Sequence, residues 1–93
     1  MMASYYYETD TVTINDPSGV TIKTSDEILF DLQIINNNTE NDILVYIFDK
    51  TYNADSYMRI KAGGYIDFEK SVPKNQIIVR GTVGDKVSFQ KVK

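Results

Sequence analysis

Ile43-Leu44-Val45-Tyr46-Ile47-Phe48, set between Asp42 and Asp49, is the stretch whose reading decides the fold. Six consecutive apolar residues, rich in β-branched and aromatic side chains, fit a strand covered on both faces in the middle of a sandwich core. A buried helix is the competing reading of any such run. Six residues are too few for it, and residues 36–42 just before the run (NNNTEND) are turn formers.

Outward from this run the chain reads as shorter, half-buried strands separated by turns. Thr11-Val12-Thr13-Ile14 and Val20-Thr21-Ile22-Lys23 alternate polar and apolar residues on either side of Asn15-Asp16-Pro17-Ser18-Gly19, a strong turn signal. A hairpin is expected there, with Val12, Ile14, Val20 and Ile22 on one inner face. Over residues 27–35 a spacing of two places Ile28, Phe30, Leu32 and Ile34 inward, with Asp31 and Gln33 outward. Thr24-Ser25-Asp26-Glu27 could cap a helix, but that spacing and the pair Ile34-Ile35 favour a strand. Residues 36–42 are the most polar of the chain and read as a solvated turn.

Downstream, Met58, Ile60 and Ala62 face inward with Arg59 and Lys61 outward. Gly63-Gly64 fits a tight reversal with positive φ, since glycine has no Cβ to clash. Ile66 and Phe68 point inward, Val72-Pro73 opens a turn, and residues 77–81 form another strand. Val83-Gly84-Asp85 turns the chain into a last strand over residues 86–92, with Val87 and Phe89 inward. About eight short strands with no convincing helix predict an all-β protein. The expected architecture is an antiparallel β-sandwich, immunoglobulin-like or jelly-roll, with a small closed barrel as the alternative. Residues 1–9 read as an N-terminal arm or edge strand, and residues 10–93 as a single β-sandwich domain.

Composition removes whole classes of chemistry. The 93 residues make one domain and contain neither cysteine nor histidine. That leaves no thiolate nucleophile or zinc–thiolate site, and lacks the commonest general base and transition-metal ligand. No enzymatic activity and no cofactor are expected. No apolar run approaches the roughly 18 residues that cross a bilayer, and the opening MMASYYYETD lacks the regions of a signal peptide. No membrane association is expected, and synthesis is expected to be cytoplasmic. A net charge of −3 without a lysine–arginine run argues against nucleic acid as a partner.

Some residues invite a functional reading. Asp67 and Glu69 lie two apart on one strand face, whereas a glycosidase needs its carboxylates across a cleft, about 5–10 Å apart. They read as surface charges that pair with Arg59, Lys61 or Arg80 across strands. Residues 36–42, and Asp49, Asn53 and Asp55, are weak cation candidates without the spacing and glycine of an EF-hand loop. Seven tyrosines raise a glycan platform at Tyr46, Tyr52, Tyr57 and Tyr65, although tryptophan is absent. The candidates for a partner interface are Tyr5, Tyr6, Tyr7, Arg59, Lys61 and Arg80. Adjacent residues on a strand point to opposite faces, so at least one of the three tyrosines is exposed unless something covers it. Tyrosine and arginine are also favoured at interfaces.

Charge is divided along the chain: residues 1–58 hold ten acidic and two basic side chains, residues 59–93 three and eight. Either neighbouring strands intermix the signs in space, or the molecule has an acidic and a basic region suited to charge-complementary packing.

Met58-Arg59-Ile60-Lys61-Ala62-Gly63-Gly64-Tyr65-Ile66-Asp67-Phe68-Glu69, with Val72-Pro73 and Ile77-Ile78-Val79-Arg80-Gly81, resembles the second half of small β-sandwich accessory proteins of tailed bacteriophage virions. In those proteins an asparagine-rich turn and a hydrophobic strand precede a glycine, a strand, and a second strand ending in glycine. The resemblance covers about half the chain, at turn and core positions, and brings no catalytic or binding motif. It implies a non-enzymatic virion structural protein, a head-decoration or auxiliary capsid or tail subunit. Its partners would be the major capsid or tail protein and further copies of itself, and its location the virion after synthesis in the host cytoplasm. The alternative is a carbohydrate- or cell-surface-binding module; no other small-molecule ligand is expected.

Overall fold

Most of the segments in which apolar and polar residues alternate are extended strands. The computed structural model describes residues 4–48 and 57–93, with strands β1 (Tyr7–Thr13), β2 (Val20–Lys23), β3 (Asp31–Asn36), β4 (Ile43–Ile47), β5 (Met58–Ile60), β6 (Tyr65–Asp67), β7 (Ile77–Arg80) and β8 (Lys86–Val92). They form two four-stranded sheets, β1-β8-β3-β6 and β2-β7-β4-β5, with every pair antiparallel. The first strand pairs with the last, the second with the second-last, the third with the third-last, and the central two with each other. The chain is therefore one long hairpin, wound so that successive rungs fall alternately in the two sheets. Of the two sandwich kinds this is the jelly-roll order, and the four edge strands exclude a closed barrel.

Both sheets contribute to one core. Ile14, Ile22, Leu32, Ile34, Ile43, Val45, Ile60, Ile77, Val79, Val87 and Phe89 form a single buried cluster. Within β4, Ile43 and Val45 face this cluster, while Leu44 is half-buried and Tyr46 is only 5% exposed. The central run is thus a strand buried on its inner face and largely covered on its outer one.

The expected hairpin over residues 11–23 does not form. β1 pairs with β8 along its whole length and β2 pairs with β7, so residues 14–19 carry the chain from one sheet to the other. The turn chemistry is present but closes locally. Asp16 Oδ1 accepts from the Ser18 N–H (2.8 Å) and hydroxyl (2.7 Å), and the Gly19 N–H donates to the Asp16 carbonyl at 2.9 Å. Gly19 sits at φ +95°, where a Cβ would run into the Val79 carbonyl and lie 2.8 Å from Arg80 Cγ. The turn is a corner packed on β7. At the predicted Gly63-Gly64 reversal, Gly63 takes positive φ (+77°).

A second correction concerns residues 27–30. Leu32 and Ile34 face inward as read, but Ile28 is 89% exposed, Phe30 is exposed, and Leu29 is buried in their place. The Glu27 N–H donates to the Thr24 carbonyl (3.3 Å) and Glu27 Oε1 accepts from the Thr24 N–H (3.2 Å), so this segment turns before β3 begins. Interrupting the strand there shifts the inward position by one residue.

Residues 36–42 are not simply a solvated turn. Asn36, the last residue of β3, is fully buried. Its Nδ2 donates to the carbonyls of Asn41 (2.8 Å) and Ile60 (2.9 Å), while its Oδ1 accepts from the N–H (3.1 Å) and Nδ2 (2.7 Å) of Asn38. Asn38 also exchanges two bonds with the backbone of Lys86, and Asn41 donates to Asp85 Oδ1 at 2.9 Å. These amide side chains act as extra peptide groups that tie β3, β5 and β8 together at one end of the sandwich. Replacing Asn36 with leucine, of similar size, leaves the buried Ile60 carbonyl, the part-buried Asn41 carbonyl and two donors of Asn38 without it. The variant is expected to lose about 3 kcal/mol in urea unfolding, against less than about 0.5 kcal/mol for a change at exposed Thr39.

Candidate interaction surfaces

The outer face of β2-β7-β4-β5 gathers the arginines. Leu44 stands opposite Arg80 on one side and Arg59 on the other, so Arg80, Leu44 and Arg59 form a row across three strands. In the next row Tyr46 stands opposite Ile78, and the Tyr46 and Tyr57 rings lie 5.7 Å apart, tilted by 55°. The Arg80 guanidinium sits 5.2 Å from the Tyr46 ring centre and donates to the Ser18 carbonyl at 3.2 Å. Arg59 lies 6.0 Å from the Tyr57 ring centre, donates to its hydroxyl at 3.4 Å, and is 3.7 Å from Asp42. Each guanidinium therefore has an aromatic ring and a second polar partner beside it, which restricts the side chain before binding. Lys61 lies beyond the end of β5, exposed in the turn to β6.

The tyrosines occupy a different place. Tyr6 and Lys93 exchange both backbone bonds (3.0 and 2.8 Å), extending the β1–β8 ladder, and the Tyr5 ring lies 4.7 Å from that of Phe30. Tyr5, Tyr6 and Tyr7 are all exposed. The six expected interface residues are thus not brought together: the tyrosines lie at an edge of one sheet, Arg59 and Arg80 on the outer face of the other, and Lys61 in the β5–β6 turn.

The expected pairing of Asp67 or Glu69 with the arginines does not occur, because β6 belongs to the other sheet. Arg59 finds Asp42 instead. Asp67 lies beside Asp31, and its carboxyl is raised above the usual range by partial desolvation, by the hydrogen bond with Asp31 and by the charges of Asp31 and Glu69. Asp67 and Glu69 are both exposed. Among the described residues no group of three or more acidic side chains is placed to hold a metal. Asp49, Tyr52, Asn53 and Asp55 lie outside those residues. Of the other tyrosines proposed for sugar stacking, Tyr46 is covered, while Tyr65 stands exposed opposite Ile35 on the other sheet.

Two buried lysines were not read from the sequence. Lys23 is 1% exposed, and its Nζ donates to the carbonyls of Thr24 (3.0 Å), Lys74 (3.3 Å) and Asn75 (3.1 Å). Its three donors meet three acceptors, so it clips the residue 68–76 connection to the end of β2. Burial pushes its pKa down, opposed by the charge of Glu27 and reinforced by that of Lys91. Lys91 continues the inward series Val87, Phe89, and its Nζ is bonded to both oxygens of Glu27 at 3.1 and 3.0 Å. The series of alternate residues was visible in the sequence. The inward turn of Lys23 was not, because it follows from the register shift between Thr21 and Lys23. A cleft of about 480 Å³ adjoins this cluster at Glu27 and is lined further by Ile28, Leu29, Val72, Pro73 and Lys74.

No family model matches this chain, and no curated protein or solved structure matches it either.

Burial raises the Glu27 carboxyl, but the bonds from Lys91 and the Thr24 N–H, with the charges of Lys91 and Lys93, outweigh it and hold the pKa below its ordinary 4.5. A carboxylate depressed on folding stabilises the fold above its unfolded pKa, and that contribution is lost as pH falls through the folded value. Glu27→Gln should therefore cost about 2 kcal/mol near neutral pH. The gap from wild type should narrow steadily as urea unfolding is repeated below the ordinary 4.5.

Proposed function

We propose that this protein is a non-enzymatic structural subunit of the virion-accessory class, docking on a capsid or tail lattice through the outer face of β2-β7-β4-β5. The observation that carries this reading is the Arg80–Leu44–Arg59 row with Ile78, Tyr46 and Tyr57 beside it. Arginine and tyrosine around an aliphatic centre is the composition of binding hot spots, and cation–π contacts hold both guanidiniums in place before any partner arrives. Jelly rolls serve viral capsid and lectin domains alike, so the strand order supports the reading without deciding it. The glycan alternative has less support, because the Tyr46 and Tyr57 rings are tilted by 55° and offer no common plane for stacking.

The test is co-sedimentation of the protein with particles formed in cells that carry its gene. The wild type should travel with the particles. Leu44→Asp combined with Arg59→Glu should reduce the bound fraction about tenfold while circular dichroism remains that of the folded protein. Wild-type protein that stays free of particles at every salt concentration contradicts the proposal.

A further inference from the structure

Four strands end the two sheets, and three of those edges are blunted. β2 is four residues long and carries a register shift, and β5 and β6 are three residues each. Short and bulged edges are the usual protection of a sandwich against unwanted strand pairing. β1 is neither short nor bulged. It is seven residues long, keeps unbroken register with β8 from Tyr7↔Val92 to Thr13↔Lys86, and contains no proline, glycine or lysine.

The backbone groups that β1 leaves open follow from its terminal bonds. Tyr6 and Lys93 exchange both backbone bonds, and the Ile14 N–H donates to the Asp85 carbonyl at 2.8 Å, so the even-numbered residues bond to β8. In an antiparallel ladder the intervening residues turn their N–H and C=O groups the other way. Tyr7, Thr9, Thr11 and Thr13 therefore direct theirs to the open edge. Of those N–H groups only that of Thr11 has a partner among the described residues, the Asp10 carboxylate at 2.7 Å.

We propose that the free edge of β1 is a strand-addition site for an extended, basic segment of a partner protein, which lengthens the sheet to five strands. Main-chain bonds would supply the pairing and the alternate side chains its specificity. Charge selects the occupant. β1 carries Glu8 and Asp10 and no cation; Glu8 lies 3.8 Å from Lys93, and Asp10 has no cation beside it among the described residues. Two copies of β1 paired about a two-fold centred at Thr9 or Asp10 set these carboxylates against each other, which is destabilising in directly opposed positions. A strand with lysine or arginine at every second position meets them instead. Its other face lies beside the outward Thr9, Thr11 and Thr13, the middle one of which is bonded to Ser88 at 2.8 Å. The inference uses the tyrosine edge and holds whether or not the partner belongs to a virion.

The probe is a synthetic peptide of about eight residues alternating lysine and threonine, with a glutamate-for-lysine peptide as control. Amide exchange of the whole chain, followed by NMR, should slow about tenfold at Tyr7, Thr9 and Thr13 with the lysine peptide and not with the control, and high salt should reverse it. Thr9→Pro removes an outward N–H without breaking a rung to β8, so it should keep the wild-type unfolding temperature and lose the protection. Glu8→Lys combined with Asp10→Lys should exchange the preference, so that the glutamate peptide protects. Equal protection by both peptides, or none, overturns the proposal. Protection that rises with protein concentration alone overturns it in favour of a second copy.

Discussion

The pairing of the first strand with the last is the constraint on which the rest of the molecule depends. β8 lies between β1 and β3, so the centre of one sheet is supplied by the final residues of the chain. Every other rung nests inside that one, and the two sheets share a core only when all the rungs are in place. Contacts so remote in sequence place the protein among slow folders, because the loops must close before the contacts that stabilise them form. The same nesting explains the division of charge. Each strand of the acidic half meets a strand of the basic half, and Glu8, Glu27 and Asp42 lie beside Lys93, Lys91 and Arg59. What looks like an acidic and a basic end along the chain is interleaved in space.

Polar side chains inside the molecule serve the same nested geometry. Antiparallel rungs that alternate between sheets leave corners where backbone groups lose their ladder partners, and such groups are costly to bury unpaired. At one end the Asn36, Asn38 and Asn41 amides fill that role; at the other Lys23 gathers three carbonyls and Glu27 holds Lys91. With these groups committed to closing the sandwich, the interaction chemistry is left on its outside, at the arginine row and the open edge of β1.

Strand count and most inward positions were legible because period two is a local property. Val87 and Phe89, and Leu32 and Ile34, lie where alternation put them. The failures came where non-local pairing overrode a local signal. Asn15–Gly19 has the composition of a hairpin turn, yet β1 and β2 each find a better partner in the second half of the chain. Ile28 and Phe30 obey the alternation of β3 but lie between the Thr24–Glu27 turn and the first residue of β3. Residues 36–42 carry the composition of a solvated loop, and nothing in composition distinguishes an asparagine facing water from one that replaces a peptide group. The candidate surfaces divided in the same way. Arg59 and Arg80 were recognisable as outward residues, but that Leu44 joins them into one row follows only from the register.

The nested pairing can be tested most directly by NMR on the whole protein, through close contacts between α-protons of residues that face each other without exchanging hydrogen bonds. The structure requires such contacts between Thr9 and Gln90 and between Ile34 and Phe89, placing β8 between β1 and β3. Contacts between residues 11–14 and 20–23, as a hairpin at Asn15–Gly19 would give, would contradict it.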